Sequence, residues 1–202
     1  MFLDFEENLD KRSFAHPCEY VKENAKQKAI SVWRKHPKAD LVIGCDTDVT
    51  LDGTIFEKPK SSDDAVVMLH KFSGKTHTVF TGVALVTSCY GKSCSGPNDS
   101  GGDKSQQQQQ QAEQSQAAAT QSDEDQFLVT TFHEATDVTF TQMNQSVIEA
   151  YVKTGEPMDK AGSYGIQGIG ATLIESLRGD YFNVVGLPLH RLAKELYYMY
   201  ME

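Results

Sequence analysis

The chain lacks the features that mark membrane, secreted and nucleic-acid-binding proteins. Its 202 residues hold no apolar run near the length that crosses a bilayer. The start, Met1-Phe2-Leu3-Asp4-Phe5-Glu6-Glu7, is acidic early and has no basic segment followed by an apolar stretch, so it does not read as a signal peptide. Cysteine is scarce: Cys18, Cys45, Cys89 and Cys94 follow neither a zinc spacing nor a compact disulfide framework, and read as free thiols of a reducing cytoplasm. Positive charge is also short, with 19 Lys and Arg against 28 Asp and Glu and a net charge of −9. That balance argues against nucleic acid or an anionic membrane as the main partner. A small polyanion remains admissible, because a locally basic pocket bridged by a metal can hold it whatever the global charge.

What is present alternates between helical and strand patterns. Pro17 to Lys35 reads as a helix, with Val21, Ala25, Ala29 and Val32 at helical spacing, Pro17 in the first turn and His36-Pro37 as the stop. Leu41 to Cys45 reads as a short buried strand ending at Asp46, a position where open α/β sheets bind ligands. Asp52-Gly53 marks a turn, and Ser61-Ser62-Asp63-Asp64 opens a second helix whose buried face is Ala65, Met68, Leu69 and Phe72. Thr78 to Val86 reads as a strand, and Phe127 to Phe140 as one or two more, interrupted near His133-Glu134. Residues 88–125 turn to Ser, Gly, Gln and acid, and include the run Gln106 to Gln111. They read as a disordered insertion at a hairpin tip, since such a composition cannot bury enough apolar surface to offset its ordering entropy. Val147, Ile148, Tyr151 and Val152 fit a short helix, Ala171 to Leu177 another, and Gly179 to Pro188 a turn, a short strand and a stop. A last helix carries Leu192, Leu196 and Met199. The expectation is an α/β fold around a mixed sheet.

The candidate chemistry lies in a few places. Asp159-Lys160-Ala161-Gly162-Ser163-Tyr164-Gly165-Ile166-Gln167-Gly168 sets three glycines around a lysine, a tyrosine and a glutamine, which suits a loop that approaches a ligand closely. It fits neither the Walker phosphate loop nor the dinucleotide fingerprint. Asp46 follows a buried strand directly, and a carboxylate there is costly without a role or a partner. Glu7 is a second acid, and Lys28, Lys58 and Lys160 are the cations that could steady phosphate groups. Taken singly, Glu7 also reads as a surface charge, Lys28 as part of a solvated helix face and Lys58 as an exposed loop residue. The amide of Gln167 both donates and accepts hydrogen bonds, matching the N3–H and O4 edge of uracil or thymine, and Thr47 offers a hydroxyl beside it. Local backbone capping is the alternative for both.

Several motifs occur in order: Asn24-Ala25-Lys26-Gln27-Lys28-Ala29, Asp46-Thr47, Lys58-Pro59, Phe72-Ser73-Gly74-Lys75-Thr76-His77, Thr81-Gly82-Val83 and Glu134-Ala135-Thr136-Asp137-Val138-Thr139-Phe140. Gly155-Glu156-Pro157, the glycine loop and Asn183-Val184-Val185-Gly186-Leu187-Pro188 follow. Together they resemble the Maf family of nucleoside triphosphate pyrophosphatases, over nearly the whole chain outside the glutamine-rich segment. The resemblance implies two α/β lobes flanking a central cleft, commonly in a homodimer, and hydrolysis of a nucleoside triphosphate to the monophosphate and pyrophosphate. It implies Asp46 as proton acceptor and, with Glu7, as ligand of a divalent cation (Mg2+ or Mn2+). Lys28 and Lys58 match its phosphate-contacting lysines. Thr47 and Gln167 match the specificity positions of the branch that acts on dTTP and UTP. Two departures stand out. The family's N-terminal strand and Ser-x-Ser-Pro-Arg-Arg turn have no counterpart here, and Asp48 stands where the family usually has an apolar residue.

Two rivals share these residues. Asp46-Thr47-Asp48-Val49-Thr50 after an apolar strand also resembles the Asp-x-Asp-x-Thr motif of haloacid-dehalogenase-type phosphatases, with Asp46 as nucleophile and Asp48 as acid. The missing arginine turn points instead to a catalytically inactive nucleotide-binding or regulatory module.

Overall fold

The computed structural model describes residues 9–88 and 127–201. Glu7, Cys89 and Cys94 lie outside the described residues, as does the segment read as a disordered insertion apart from Ser88. The described residues form one five-stranded sheet in the order β2-β1-β3-β4-β5. The strands are β1 Leu41–Leu51, β2 Thr54–Phe56, β3 Thr76–Ser88, β4 Phe127–Phe140 and β5 Ile174–Arg178. The helices are α1 Pro17–Lys35, α2 Ser62–Phe72, α3 Gln145–Lys153, α4 Tyr181–Val185 and α5 Leu189–Met201.

Helix α1 has the expected bounds. The His16 side chain caps it by accepting from Cys18 N–H, and Pro17 occupies its first turn. Its buried stripe is Tyr20, Val21, Asn24, Ala25, Ala29 and Trp33. The helix lies unusually close to the sheet, because two glycines face it. A Cβ on Gly44 would stand 2.3 Å from the Ala25 carbonyl oxygen, and one on Gly82 2.4 Å from the Val21 backbone. Main chain therefore packs on main chain, and no larger residue fits at either position.

The long strands pass through two packed regions. In one, α1 covers Val42, Ala84, Val86 and Val129 on one face, while Leu192 of α5 meets Val83, Leu85 and Phe132 on the other. In the other, α2 and α3 bury Leu69, Phe72, Ile148 and Tyr151 against Val49, Val79, Val138 and Phe140. A cavity opens where the two regions meet.

The α/β class holds, with three local corrections. The described strands pair antiparallel throughout, not as a mixed sheet. Helix α2 carries the chain from β2 back to the sheet, but β3 enters beside β1, not beside β2; the crossover thus separates strands of like direction. Residues 171–177 are not a helix. A 3-10 turn, Ile169–Leu173, runs into β5, whose pairing of Leu177 with Val138 and Ser176 with Thr139 supplies an edge strand that local propensity did not show. The expected strand within 179–188 is helix α4, started by the Asp180 side chain accepting from Phe182 N–H and closed by Gly186 at φ 112°.

Candidate active site

Asp46 does not end its strand. Strand β1 continues to Leu51, held by β3 through Asp46↔Gly82 and Thr47↔Thr81. Alternation along the strand puts Asp46 and Asp48 on the face that α1 covers, where they are only 8% and 4% exposed. The close seat of α1 brings Lys28 over the strand, and its Nζ lies 2.5 Å from Asp46 Oδ1. A lysine that reads as solvated in the helical pattern is thus the counter-ion of a buried carboxylate, which answers the cost of burying Asp46.

These residues form one wall of a cavity of about 400 Å³. Glu57 and Lys58, from the loop after β2, close one end. Glu57 accepts from Tyr20 Oη at 2.9 Å and pairs with Lys11 Nζ at 2.7 Å. Burial works to raise its pKa, but Lys11 and the Tyr20 hydroxyl prevail and hold it below the usual carboxylate value. Cys45 also lines the cavity, and burial pushes its thiol up to about 11, so it stays protonated and unreactive near neutrality.

The opposite wall is the glycine loop. Asp159, Lys160, Ala161 and Tyr164 face the cavity, with Lys160 Nζ 2.6 Å from Asp159 Oδ1. Tyr164 is buried, and its hydroxyl lies 2.8 Å from Nε2 of buried His77, whose pKa burial lowers to about 4. One side chain organises the turn beyond. Glu156 accepts from Ile169 N–H at 2.8 Å, Gly170 N–H at 2.9 Å and Tyr151 Oη at 2.9 Å, while Tyr151 Oη accepts from Gly165 N–H at 3.1 Å. Burial opposes ionisation of Glu156, yet these donors hold its pKa below the usual value.

The structure therefore gathers Asp46, Thr47, Lys28, Lys58 and Lys160 around one cavity. Gln167 is not brought there; it is exposed on the loop, outside the lining. Glu7 lies outside the described residues. Sequence reasoning gave no site role to Glu57, Tyr164, Glu156 or the pair Thr81–Asn183, and gave Asp48 one only in the phosphatase rival. Glu57 stood next to Lys58 in a motif already singled out, and Asp48 follows Asp46 by the strand period of two. Glu156 and Thr81 stood within quoted motifs, but their roles depend on partners distant in sequence.

Among the described residues no group of three or more His, Cys, Asp or Glu is placed to hold a metal ion. The donors on offer are nonetheless hard oxygens, Asp46 and Asp48 on one strand face. Mg2+ is commonly held by one or two carboxylates, with water and substrate phosphates filling the remaining positions, so this donor set fits such a cation. The lining has four acids (Asp46, Asp48, Glu57, Asp159) and three lysines, so the lysines alone do not neutralise a polyphosphate there.

A buried acid, three lysines and part of a glycine loop thus line one cavity of this α/β fold. The chain belongs to the Maf-like protein family, whose model matches residues 1–199. It is 42% identical over 201 residues to a human "Probable bifunctional dTTP/UTP pyrophosphatase/methyltransferase protein", covering 97% of this chain and 28% of that protein. It is 40% identical over 180 residues to a "dTTP/UTP pyrophosphatase" of Bacillus pumilus, covering 89% of this chain and 75% of the relative. A protein of the same description from Clostridium perfringens is 35% identical over 194 residues, with 96% and 78% covered. The chain thus spans less than a third of the human relative and about three quarters of the bacterial ones. No helix among the described residues is long and apolar enough to cross a membrane.

Proposed function

We propose that this chain is a nucleoside triphosphate pyrophosphatase that hydrolyses dTTP and UTP, with modified pyrimidine nucleotides, to the monophosphate and pyrophosphate. The carrying observation is the Lys28–Asp46 pair, a buried carboxylate and its lysine at the wall of a cavity that two further lysines line. The similarity to relatives described as dTTP/UTP pyrophosphatases supports the same reading.

In this reading a water attacks the α-phosphorus and gives its proton to Asp46. Lys28 holds one carboxylate oxygen of that acid and so fixes its orientation. The bond from the α-phosphorus to the bridging oxygen breaks, and pyrophosphate leaves against Lys58 and Lys160, which neutralise its growing charge. Asp46 with Glu7 would hold a divalent cation (Mg2+ or Mn2+), which would supply charge neutralisation and Lewis-acid polarisation of the phosphates. Thr47 meets the base, and Gln167 is the second base-reading group of this reading. A cytoplasmic location, a homodimer, and no nucleic-acid or membrane partner belong to the same reading.

The phosphatase alternative was read from Asp46 directly after an apolar strand, and the pairing of Asp46 inside an antiparallel strand speaks against it. Pyrophosphate release from a panel of nucleoside triphosphates, with Mg2+ or Mn2+ and again after EDTA, tests the proposal. Metal-dependent release from dTTP and UTP is expected. Nucleotide binding without release of pyrophosphate would replace the enzyme by the inactive binding module.

A further inference from the structure

The cavity contains a hydroxyl whose hydrogen-bond polarity is dictated from behind. Thr47 and Thr81 are direct partners across β1 and β3, and their Oγ1 atoms are 2.9 Å apart. That distance alone leaves open which hydroxyl donates. The next link decides it, because Thr81 Oγ1 also lies 2.8 Å from the main-chain carbonyl oxygen of Asn183. A carbonyl only accepts, and a threonine hydroxyl has one proton to give. The Thr81 proton is committed to Asn183, so towards Thr47 it offers only a lone pair. Thr47 must then spend its own proton on Thr81. What it presents to the cavity is acceptor alone.

The anchor of this relay is rigid. Thr81 and Asn183 are both 0% exposed. The Asn183 side-chain Nδ2 donates to the Val79 carbonyl at 3.0 Å and to Thr136 Oγ1 at 3.0 Å, and Thr136 donates in turn to the Asp180 carbonyl at 2.9 Å. The Val79 and Asp180 carbonyls only accept, and Thr136, having given its proton to Asp180, can only accept from Asn183, so the chain of donors runs in one direction. Helix α4 is pinned to the sheet by these bonds, and its carbonyl sets the state of a hydroxyl two residues removed.

We propose that Thr81 is a positioning residue that fixes Thr47 as a pure acceptor, and that this polarity selects pyrimidines carrying a proton on N3 (uracil and thymine) over cytosine. Uracil and thymine bring an N3–H donor to the Thr47 lone pair. Cytosine brings another lone pair at N3, and two acceptors face each other with no proton between them. A site built to complete one hydrogen bond rejects the base that leaves it unmade. The inference rests on the pyrimidine nucleotide reading of the cavity and adds to it the residue that enforces the choice.

The test compares kcat/KM for UTP and CTP in the wild type, Thr81→Val and Thr81→Ser, with UMP and CMP dissociation constants measured by calorimetry on the same proteins. Valine keeps the shape of threonine but removes the acceptor, freeing the Thr47 proton for the cavity. The UTP-to-CTP ratio is expected to fall about ten- to a hundred-fold in Thr81→Val, chiefly through KM, and to stay near wild type in Thr81→Ser. The UMP-to-CMP binding ratio should move in parallel. Loss of activity in equal proportion on both nucleotides would reduce Thr81 to a structural residue and overturn the proposal, as would Thr81→Ser behaving like Thr81→Val. If Thr81→Val does not fold, Thr81→Cys, a weak donor and acceptor, must give an intermediate ratio. A wild type that cleaves no triphosphate sinks the pyrophosphatase reading alone; the monophosphate binding ratios then decide the polarity, and equal or absent binding of UMP and CMP overturns it.

Discussion

The helix wall of the cavity rests on main chain packed against main chain, whereas the turn behind the loop wall is gathered by one carboxylate. On the first side, Gly44 and Gly82 let α1 settle on β1 and β3, and Lys28 reaches Asp46 as a consequence. On the second, Glu156 draws Ile169, Gly170 and Tyr151 into one turn. The first arrangement is stiff and intolerant of volume. The second is held by hydrogen bonds that a single substitution can remove. Groups that must stay in register with a reacting phosphorus belong on the stiff wall, and groups that admit and release a ligand belong on the other.

The comparison is broken most severely at the acid itself. Asp46→Asn keeps shape and removes the proton acceptor, so kcat should fall about a hundred- to ten-thousand-fold with the fold intact by circular dichroism. Full turnover by that protein would remove Asp46 from its role. Next comes the seat of the helix. Gly82→Ala or Gly44→Ala forces α1 away from the sheet and should lower unfolding stability by about 1–3 kcal/mol in urea titrations. A wild-type midpoint would show that the helix moves freely and that the wall is not stiff.

The loop wall should respond more gently and in a different parameter. Glu156→Ala is expected to raise KM about tenfold with a smaller change in kcat, because it loosens the turn without touching the acid. The charge of Glu156 also carries a pH signature. Its folded-state pKa lies below the ordinary value, so its stabilisation is present at neutral pH and is lost as pH falls through the lowered value. The Glu156→Gln protein should lose less stability than wild type on acidification below about pH 4.5.

The smallest effect belongs to His77, beneath Tyr164. It is neutral when folded, with a pKa lowered from 6.5 to about 4. The unfolded chain therefore binds the extra proton between those values, and stability is full above 6.5 and declines towards 4. Thermal midpoints of the wild type should drop between pH 7 and 5, and His77→Phe should show a shallower slope over that window. Identical slopes would remove His77 from the acid response.

Much of this architecture was legible before any coordinates. Helix α1 could be read because its apolar stripe, its Pro17 start and its His36-Pro37 stop are all local. Helix α2 could be read from Ser61 and the acids after it. Strand β1 was legible only to Cys45, because the pattern turns polar at Asp46 while the pairing with β3 continues. Strand β5 was hidden for the same reason, since an edge strand is defined by its neighbour. In the site, Lys28, Asp46, Thr47, Lys58 and Lys160 stood out by residue type and motif, and the structure places them together. Gln167 was singled out on equal grounds and is exposed outside the cavity.

Sequence by itself determined helices α1, α2, α3 and α5, and which glycines, acids and lysines are available for packing and chemistry. These follow from spacing, capping and composition, all of which act within a few residues. Tertiary structure alone decided that Lys28 meets Asp46, that Glu156 holds a turn across 13 residues, and that Thr81 hands its proton to Asn183. The polarity of a hydroxyl has no trace in a local pattern, because it depends on which acceptor lies behind it, and only the packed chain brings that acceptor within reach.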